Sequence, residues 1–346
     1  MAKRLSAAAL LLLLLPSPSL AQDPELEEQF GEEITVSLIT MTVRVVDGQG
    51  RPITGLTPEH FRVRVGRKEV PVAGIDWFSS IESVWGVSPI EAQEVTVSEP
   101  WPPGRLVVFW VQADLHPSRI SGQLRLRPYI EEFLGKLGPA DRMAVFSFDS
   151  HLHLRQDVTA DMEAVRAAID RGMLYGDSPT GPASGEESLL PAFDLQAAAD
   201  AASPERGLQL TAEAMESLPR EKVIVYLGWG LGRFGSFGTQ MIPAFYPAVR
   251  ALRRANIPVH VLDVTSADFH SLEVGLEEVA DATGGSYHKT HVLTGLGPDF
   301  VANAISGYYV ISIDPETVPA KGGPVTVELR RWIKGSSVLT RPITLR

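Results

Sequence analysis

The sequence predicts an α/β protein: a doubly wound, mostly parallel sheet with a small β-rich accessory domain built from both chain ends. Three observations carry this. Residues 106–111, LVVFWV, form an apolar run without strict alternation that stops at Asp114, His116, Pro117 and Ser118, as a strand buried on both faces does. From residue 105 to 305 such runs alternate with helical patterns, the order of a parallel sheet with crossover helices. Outside that stretch both ends read as β structure.

Taken in order, residues 22–33 are acidic and Pro-containing and read as a flexible lead-in. Residues 34–46 alternate well enough for a half-buried strand, closed by the turn Asp47-Gly48-Gln49-Gly50. Thr57 as N-cap with Pro58 at the first helical position starts a short helix, and residues 61–65 and 70–72 flank a hairpin turn. Residues 79–103 are rich in Ser, Pro and Glu and serve as a connection. A helix is expected over 118–137, kinked or restarted at Pro128. Residues 143–148 are a buried strand; a second begins at His151 and ends at Asp157, and its hairpin around Ser150 admits one antiparallel strand. Thr159 is read as the cap of a helix over 160–171. A long small-residue loop spans 175–187, and 189–217 is helical with Pro191 and Pro204 limiting its continuity. Strands follow at 222–227, 258–264 and 286–290, with helices ending near Arg254, over 272–282 and over 299–305. Strands at 308–313, 325–332 and 338–345 are expected to join residues 34–77. The expected divisions are 1–21, 22–33, 34–104, 105–305 and 306–346.

Composition narrows the function. The chain has 346 residues, 44% hydrophobic content and no Cys, so disulfides, thiolate metal sites and cysteine nucleophiles are excluded. Residues 1–21 carry Lys3 and Arg4, an apolar run far short of the ~18 residues needed to span a bilayer, and Ser19-Leu20-Ala21, the pattern of a secretory signal peptide. The mature protein is expected in the periplasm or outside the cell, and not to span the membrane. The formal net charge of −11 becomes two units more negative on cleavage, which makes nucleic acid a poor partner.

Several phrases in this order carry a resemblance: GPADRMAVFSFDS, LRQDVTADMEAVRAAI, ALRRANIPVHVLDV, LEEVADATGG and SGYYVISIDP, preceded by VVDGQGRPITGLTPEHFRVRVGRKEV. Residues 105–314 resemble the von Willebrand factor type A domain, in particular the secreted VWFA-related branch described from acidobacteria. The resemblance implies a Rossmann-like twisted sheet and a non-enzymatic protein-interaction role, in adhesion or scaffolding. Metal-dependent members of the fold hold Mg²⁺ with Asp-x-Ser-x-Ser after the first strand, a Thr in a later loop and an Asp after the fourth strand. Here the first motif stands as Asp114-Leu115-His116-Pro117-Ser118, with His at the middle position, Thr180 is the candidate loop Thr, and Gly228-Trp229-Gly230 has no carboxylate. The metal-ion-dependent adhesion site is therefore expected to be degenerate, with no cofactor; if Mg²⁺ is held at all, Asp114, Ser118 and Thr180 would hold it.

Gly230-Leu231-Gly232-Arg233-Phe234-Gly235 matches the dinucleotide fingerprint, but Ser236 to Pro243 separates it from any helix and Asp263 comes too late, so a loop is the better reading than a nicotinamide or flavin enzyme. His151 with His153, and His288 with His291, sit at spacings that could place two metal ligands, with no third in sequence nearby. Ser236 lacks the nucleophile-elbow context. Asp141 and Asp161 read as turn and helix-start residues. The expected partner-binding residues are Asp114, His116, Ser118, Thr180, Trp229, Phe234 and Phe237, facing a protein partner. The alternatives are a structural module of an envelope assembly, contacting through its β strands, and a divalent-cation-dependent binder.

Overall fold

In chain order the elements are strands β1 (Ile39–Val46), β2 (Phe61–Val65), β3 (Lys68–Val70), β4 (Val72–Ser79) and β5 (Arg105–Gln112), helix α1 (Pro117–Leu134), then β6 (Arg142–Phe148), β7 (Leu152–Thr159) and α2 (Met162–Gly172). Next come α3 (Leu195–Ala199), α4 (Pro204–Met215), β8 (Glu221–Gly228), β9 (Arg233–Gly235), β10 (Gly238–Gln240), α5 (Phe245–Arg254), β11 (Val259–Asp263), α6 (Glu273–Thr283), β12 (Tyr287–Lys289) and α7 (Leu296–Ala304). Strands β13 (Gly307–Ile313), β14 (Gly323–Leu329), β15 (Ser337–Leu339) and β16 (Ile343–Leu345) close the chain. This computed structural model describes residues 38–79, 104–236, 238–331 and 333–345. The expected signal peptide, lead-in and most of the 79–103 connection, and Phe237, lie outside the described residues.

The centre is a six-stranded sheet in the order β12-β11-β8-β5-β6-β7. All neighbours are parallel except β6 and β7, which form the expected antiparallel hairpin. All eight residues of β5 are buried, because helices cover both faces of the sheet. Its even positions, Leu106, Val108 and Trp110, pack in one apolar cluster with α4 and α5; the odd ones, Val107, Phe109 and Val111, pack in another with α1 and α2. Trp110 stacks on Tyr226 with ring centroids 4.8 Å apart and donates its indole N–H to Thr211 Oγ1 at 3.1 Å, so the largest buried ring also satisfies its polar atom.

The chain ends pair as the sequence suggests. β13 lies between β1 and β4, β15 extends β1, and β14 lies between β2 and β16. These make two four-stranded sheets around one apolar cluster that includes Met41, Val43, Phe61, Val63, Tyr309 and Ile311. Contacts place the described residues in one compact unit. A buried ion pair between Arg44 of β1 and Glu221 of β8 ties these strands to the central sheet.

Local chemistry shifts several expected boundaries. Thr159 remains in β7; the N-cap of α2 is Asp161, whose carboxylate accepts from the amides of Glu163 at 2.9 Å and Ala164 at 3.1 Å, so α2 begins at Met162. Helix α1 runs unbroken through Pro128 and ends at Leu134. The single helix expected over 189–217 is a 3₁₀ turn and two helices, with Ser203 capping α4 and Pro204 opening it. Helix α7 starts at Leu296, three residues before the expected Asp299. The glycine-rich loop after β8 contains the small hairpin β9–β10, where no structure was expected. The strand expected over 338–345 is two short ones.

Candidate functional site at the carboxyl ends of the sheet

Five parallel strands end on one edge of the sheet, and antiparallel β7 begins there, so the loops after β5, β6, β8, β11 and β12 gather at that edge. Asp114 follows β5 directly. Its carboxylate accepts from the His116 amide at 2.6 Å, an Asx turn that starts α1, and its other oxygen is ion-paired with Arg119, one turn into that helix. The Arg119 guanidinium lies over the Trp229 ring, 3.5 Å from its centroid. Trp229 is held from below: Gln112 Oε1, at the end of β5, accepts the amides of Trp229 at 2.9 Å and Gly230 at 3.2 Å, and Gln112 Nε2 donates to the Gly230 carbonyl at 3.0 Å. Asp114, Arg119 and Trp229 thus form a carboxylate–guanidinium–indole stack joining two loops.

The other expected site residues are placed differently. His116 Nδ1 and Ser118 Oγ are 2.7 Å apart, each the other's partner. Thr180 donates its hydroxyl to the Leu154 carbonyl at 2.7 Å, and the neighbouring Gly181 bridges Gln156 on the outer edge of β7. That puts Thr180 three strand spacings from β5, on the order of 14 Å. Phe234 is 71% exposed in the middle of β9, whereas Trp229 is half-buried against the core. Asp114, His116, Ser118 and Trp229 therefore come together, with Phe234 on the adjoining loop and Thr180 apart.

An octahedral oxygen site for Mg²⁺ needs about six hard oxygens around one point. The residues here do not fit it. The Asp114 carboxylate faces a guanidinium, the Ser118 hydroxyl is taken by an imidazole, the Thr180 hydroxyl is turned to a backbone carbonyl, and β8 ends in Gly228 with Trp229 and Gly230 following.

Two further clusters lie at the same edge. At the end of β6, Asp149 accepts from the Gly176 amide at 3.1 Å, the Ser150 amide and His153 Nε2 at 3.0 Å. Burial alone would raise its pKa, but these bonds outweigh burial and hold it well below the usual carboxylate range. The ring centroids of His151 and His153 are 4.0 Å apart, and Asp177 from the 175–187 loop faces both. At the end of β11, Asp263 accepts from His270 Nε2 at 2.7 Å, the Tyr287 hydroxyl at 2.6 Å and the Thr265 amide at 2.9 Å, while Glu273 pairs with Lys289 at 2.8 Å. This second cluster is closed by its own partners. The residues sequence reasoning missed are Gln112, Arg119, Asp149 and Asp177. Gln112 and Asp149 carry a readable signal, a polar residue at or just past the end of a buried strand; Arg119 and Asp177 carry none.

The glycine-rich loop is a turn and not a nucleotide cradle. Gly232 has φ +85° and its amide donates to Glu205 at 2.6 Å, and the chain then enters β9, with no helix to receive a phosphate.

No family model and no curated protein matches the sequence. Among solved structures the chain is similar to a von Willebrand factor type A protein from Catenulispora acidiphila, with 10% identity over 90% of this chain and 74% of that one and a TM-score of 0.40. It is also similar to the conserved hypothetical protein BatB from Bacteroides thetaiotaomicron, with 14% identity over 58% of this chain and 98% of that one and a TM-score of 0.35. A third likeness is to the human COPII-coat protein Sec24c, with 12% identity, a TM-score of 0.39 and 71% of this chain aligned to 44% of that one. The fold assignment rests on the strand order described above. No helix among the described residues is long and apolar enough to cross a membrane.

Proposed function

We propose that this is an exported, non-enzymatic recognition protein that presents the loops at the carboxyl edge of its central sheet to a protein partner, without a cation at Asp114. The observation that carries the reading is the Asp114–Arg119–Trp229 stack. A guanidinium tethered one helical turn away supplies the positive charge beside Asp114, and the indole covers its other face.

The surrounding loops support a protein ligand. Leu115 is 69% exposed after β5, Tyr175 is exposed on the loop packed on Asp149, Phe234 projects after β8 and Phe269 after β11. Large apolar side chains offered by several loops of one edge, rimmed by Arg119 and Arg233, are the composition of an interface centre. Single exposed apolar residues are ordinary on any protein, so their shared edge is the point and not their number.

The test compares the mature chain with a Leu115→Ser, Phe234→Ser double variant as baits for envelope proteins, identified by mass spectrometry. Both positions are exposed, so the variant should melt as the parent does. Capture of a specific protein by the parent and at least tenfold less by the variant is expected, from about 1.4 kcal/mol or more at two interface positions. Equal capture by both would assign recognition to the β sheets of the chain ends instead. Mg²⁺ at millimolar concentration should leave the melting temperature within about 1 °C, since a ligand that does not bind the native state shifts nothing; a clear rise would restore a cation site at Asp114.

A further inference from the structure

We propose that the hairpin between β6 and β7 is a transition-metal site, with Asp149, His151 and His153 as ligands and Asp177 as their outer acceptor, taking a zinc-like divalent ion. The three residues fall within five consecutive positions, 149–153. Asp149 follows β6, and His151 and His153 straddle the start of β7, two residues apart, so both imidazoles leave the same face of the strand. A tetrahedral ion with bonds of about 2.0–2.1 Å places its ligand atoms about 3.3 Å from one another. Asp149 Oδ1 is 3.0 Å from His153 Nε2 and 3.7 Å from His151 Nδ1, values on either side of that figure. One atom from each of the three residues falls within 4.8 Å of the other two.

The nitrogens not facing Asp149 point the other way, to a second carboxylate. Asp177 Oδ1 is 3.5 Å from His151 Nε2 and 3.6 Å from His153 Nδ1. A carboxylate behind the distal N–H of a metal-bound imidazole fixes the tautomer and raises the basicity of the ring, and it recurs at zinc sites. Without an ion His153 Nε2 donates to Asp149; an ion between them takes the place of that proton, and the distal nitrogens then carry theirs toward Asp177. On Asp149 the Gly176 amide and Arg155, 3.7 Å away, lie on Oδ2, while Oδ1 faces the histidines and also accepts the Ser150 and His151 amides and the Ser150 hydroxyl; that hydroxyl, 3.1 Å from His151 Nδ1, is the group an ion would displace. Two imidazoles and one carboxylate suit zinc, copper or nickel and not Mg²⁺ or Ca²⁺. Three protein ligands leave a fourth position, on the side of half-exposed His151, for water or for a group from another molecule. This site is separate from the Asp114 stack and does not depend on the recognition reading.

The experiment uses the tag-free mature chain, stripped with chelator, titrated with ZnCl₂ by calorimetry and with Co²⁺ by visible absorption. One Zn²⁺ per chain is expected, with four-coordinate Co²⁺ bands. His151→Ala and His153→Ala should each weaken Zn²⁺ by more than the 10–100-fold that an outer-shell change costs, and Asp177→Asn should weaken it by about that 10–100-fold. His291→Ala, on a partly buried histidine paired with Asp268 elsewhere, should change nothing. Circular dichroism of each variant checks its fold, and because His151 is the most exposed of the three ligands, it gives the reading if His153→Ala unfolds. No saturable Zn²⁺ binding up to about 0.1 mM, or binding equal in the parent and His151→Ala, would overturn the proposal.

Discussion

At the scale of single residues, charge placement decides what this edge of the sheet can do. Asp114 stands at the end of the central strand, and Arg119 pairs with it. Arg119→Ala should therefore remove the cation over Trp229 and weaken partner capture, while costing only ~0.5–1 kcal/mol in stability, because the pair is partly exposed and screened; a capture assay and a thermal melt measure the two separately. His288 gives a pH prediction. It is packed against Phe300, its Nε2 shares Ser286 Oγ with the fully buried His260, and burial pushes its pKa down to about 4. A histidine unfolds to a pKa of about 6.5. Between pH 6.5 and about 4 the unfolded chain takes up a proton that folded His288 refuses, so stability is complete above 6.5 and is lost as pH falls through that window. The melting temperature should drop over that range, and His288→Gln should flatten the drop by up to about 1.4 kcal/mol per pH unit of the parent's slope.

At the scale of elements, the site depends on how closely α1 approaches β11. A Cβ on Gly122 would lie 1.8 Å from the Val264 carbonyl oxygen, so the helix sits at a distance only glycine allows. Alanine is worth about 1 kcal/mol more than glycine inside a helix, and overpacking costs about 1–3 kcal/mol. Overpacking wins here because the obstacle is backbone. Gly122→Ala should lower stability by about 1–2 kcal/mol and shift the first turn of α1, with Arg119 on it, so partner capture should fall as well; denaturant titration and the capture assay read the two effects. The other end of β5 is anchored by charge. Arg105 donates to Asp141 through Nε at 3.0 Å and Nη2 at 2.5 Å, both groups almost fully buried, and Asp141 also accepts the Gly138 amide at 2.8 Å. Asp141 is thus both the turn residue its local phrase indicated and half of a buried ion pair, which only β5 could supply. Asp141→Ala would leave Arg105 buried without its partner and should cost about 3–5 kcal/mol by chemical denaturation.

At the scale of the whole molecule, strands from the two ends build two sheets around one apolar cluster. β1 pairs with β13 and β15, and β2 pairs with β14. A chain ending before β14 would leave Val63, Val65 and Val43 uncovered and β2 as a bare edge. Truncation after residue 320 should therefore aggregate or lose its cooperative melt, as judged by gel filtration and scanning calorimetry, although every residue of the sheet-edge site remains.

Much of this was legible in the residues themselves. Buried strands announce themselves because burial on both faces demands unbroken apolar runs, as in residues 106–111 and 222–227. Asp114 could be marked as a site residue for the same reason: it is the first charge after such a run. Boundaries set by one side chain were less legible. Thr159 and Asp161 are both good caps, and the choice of Asp161 depends on where β7 stops pairing with β6. What the sequence by itself determined is the alternation of strands and helices, the pairing of the two ends and the absence of cysteine chemistry, since these follow from local pattern and composition. Only the tertiary structure decided which charges meet. Thr180 turns to Leu154 and away from Asp114, Arg119 closes on Asp114, and Asp177 crosses from a distant loop to His151 and His153. Those partnerships depend on the direction of each side chain and the path of each loop in three dimensions, and no periodicity along the chain records them.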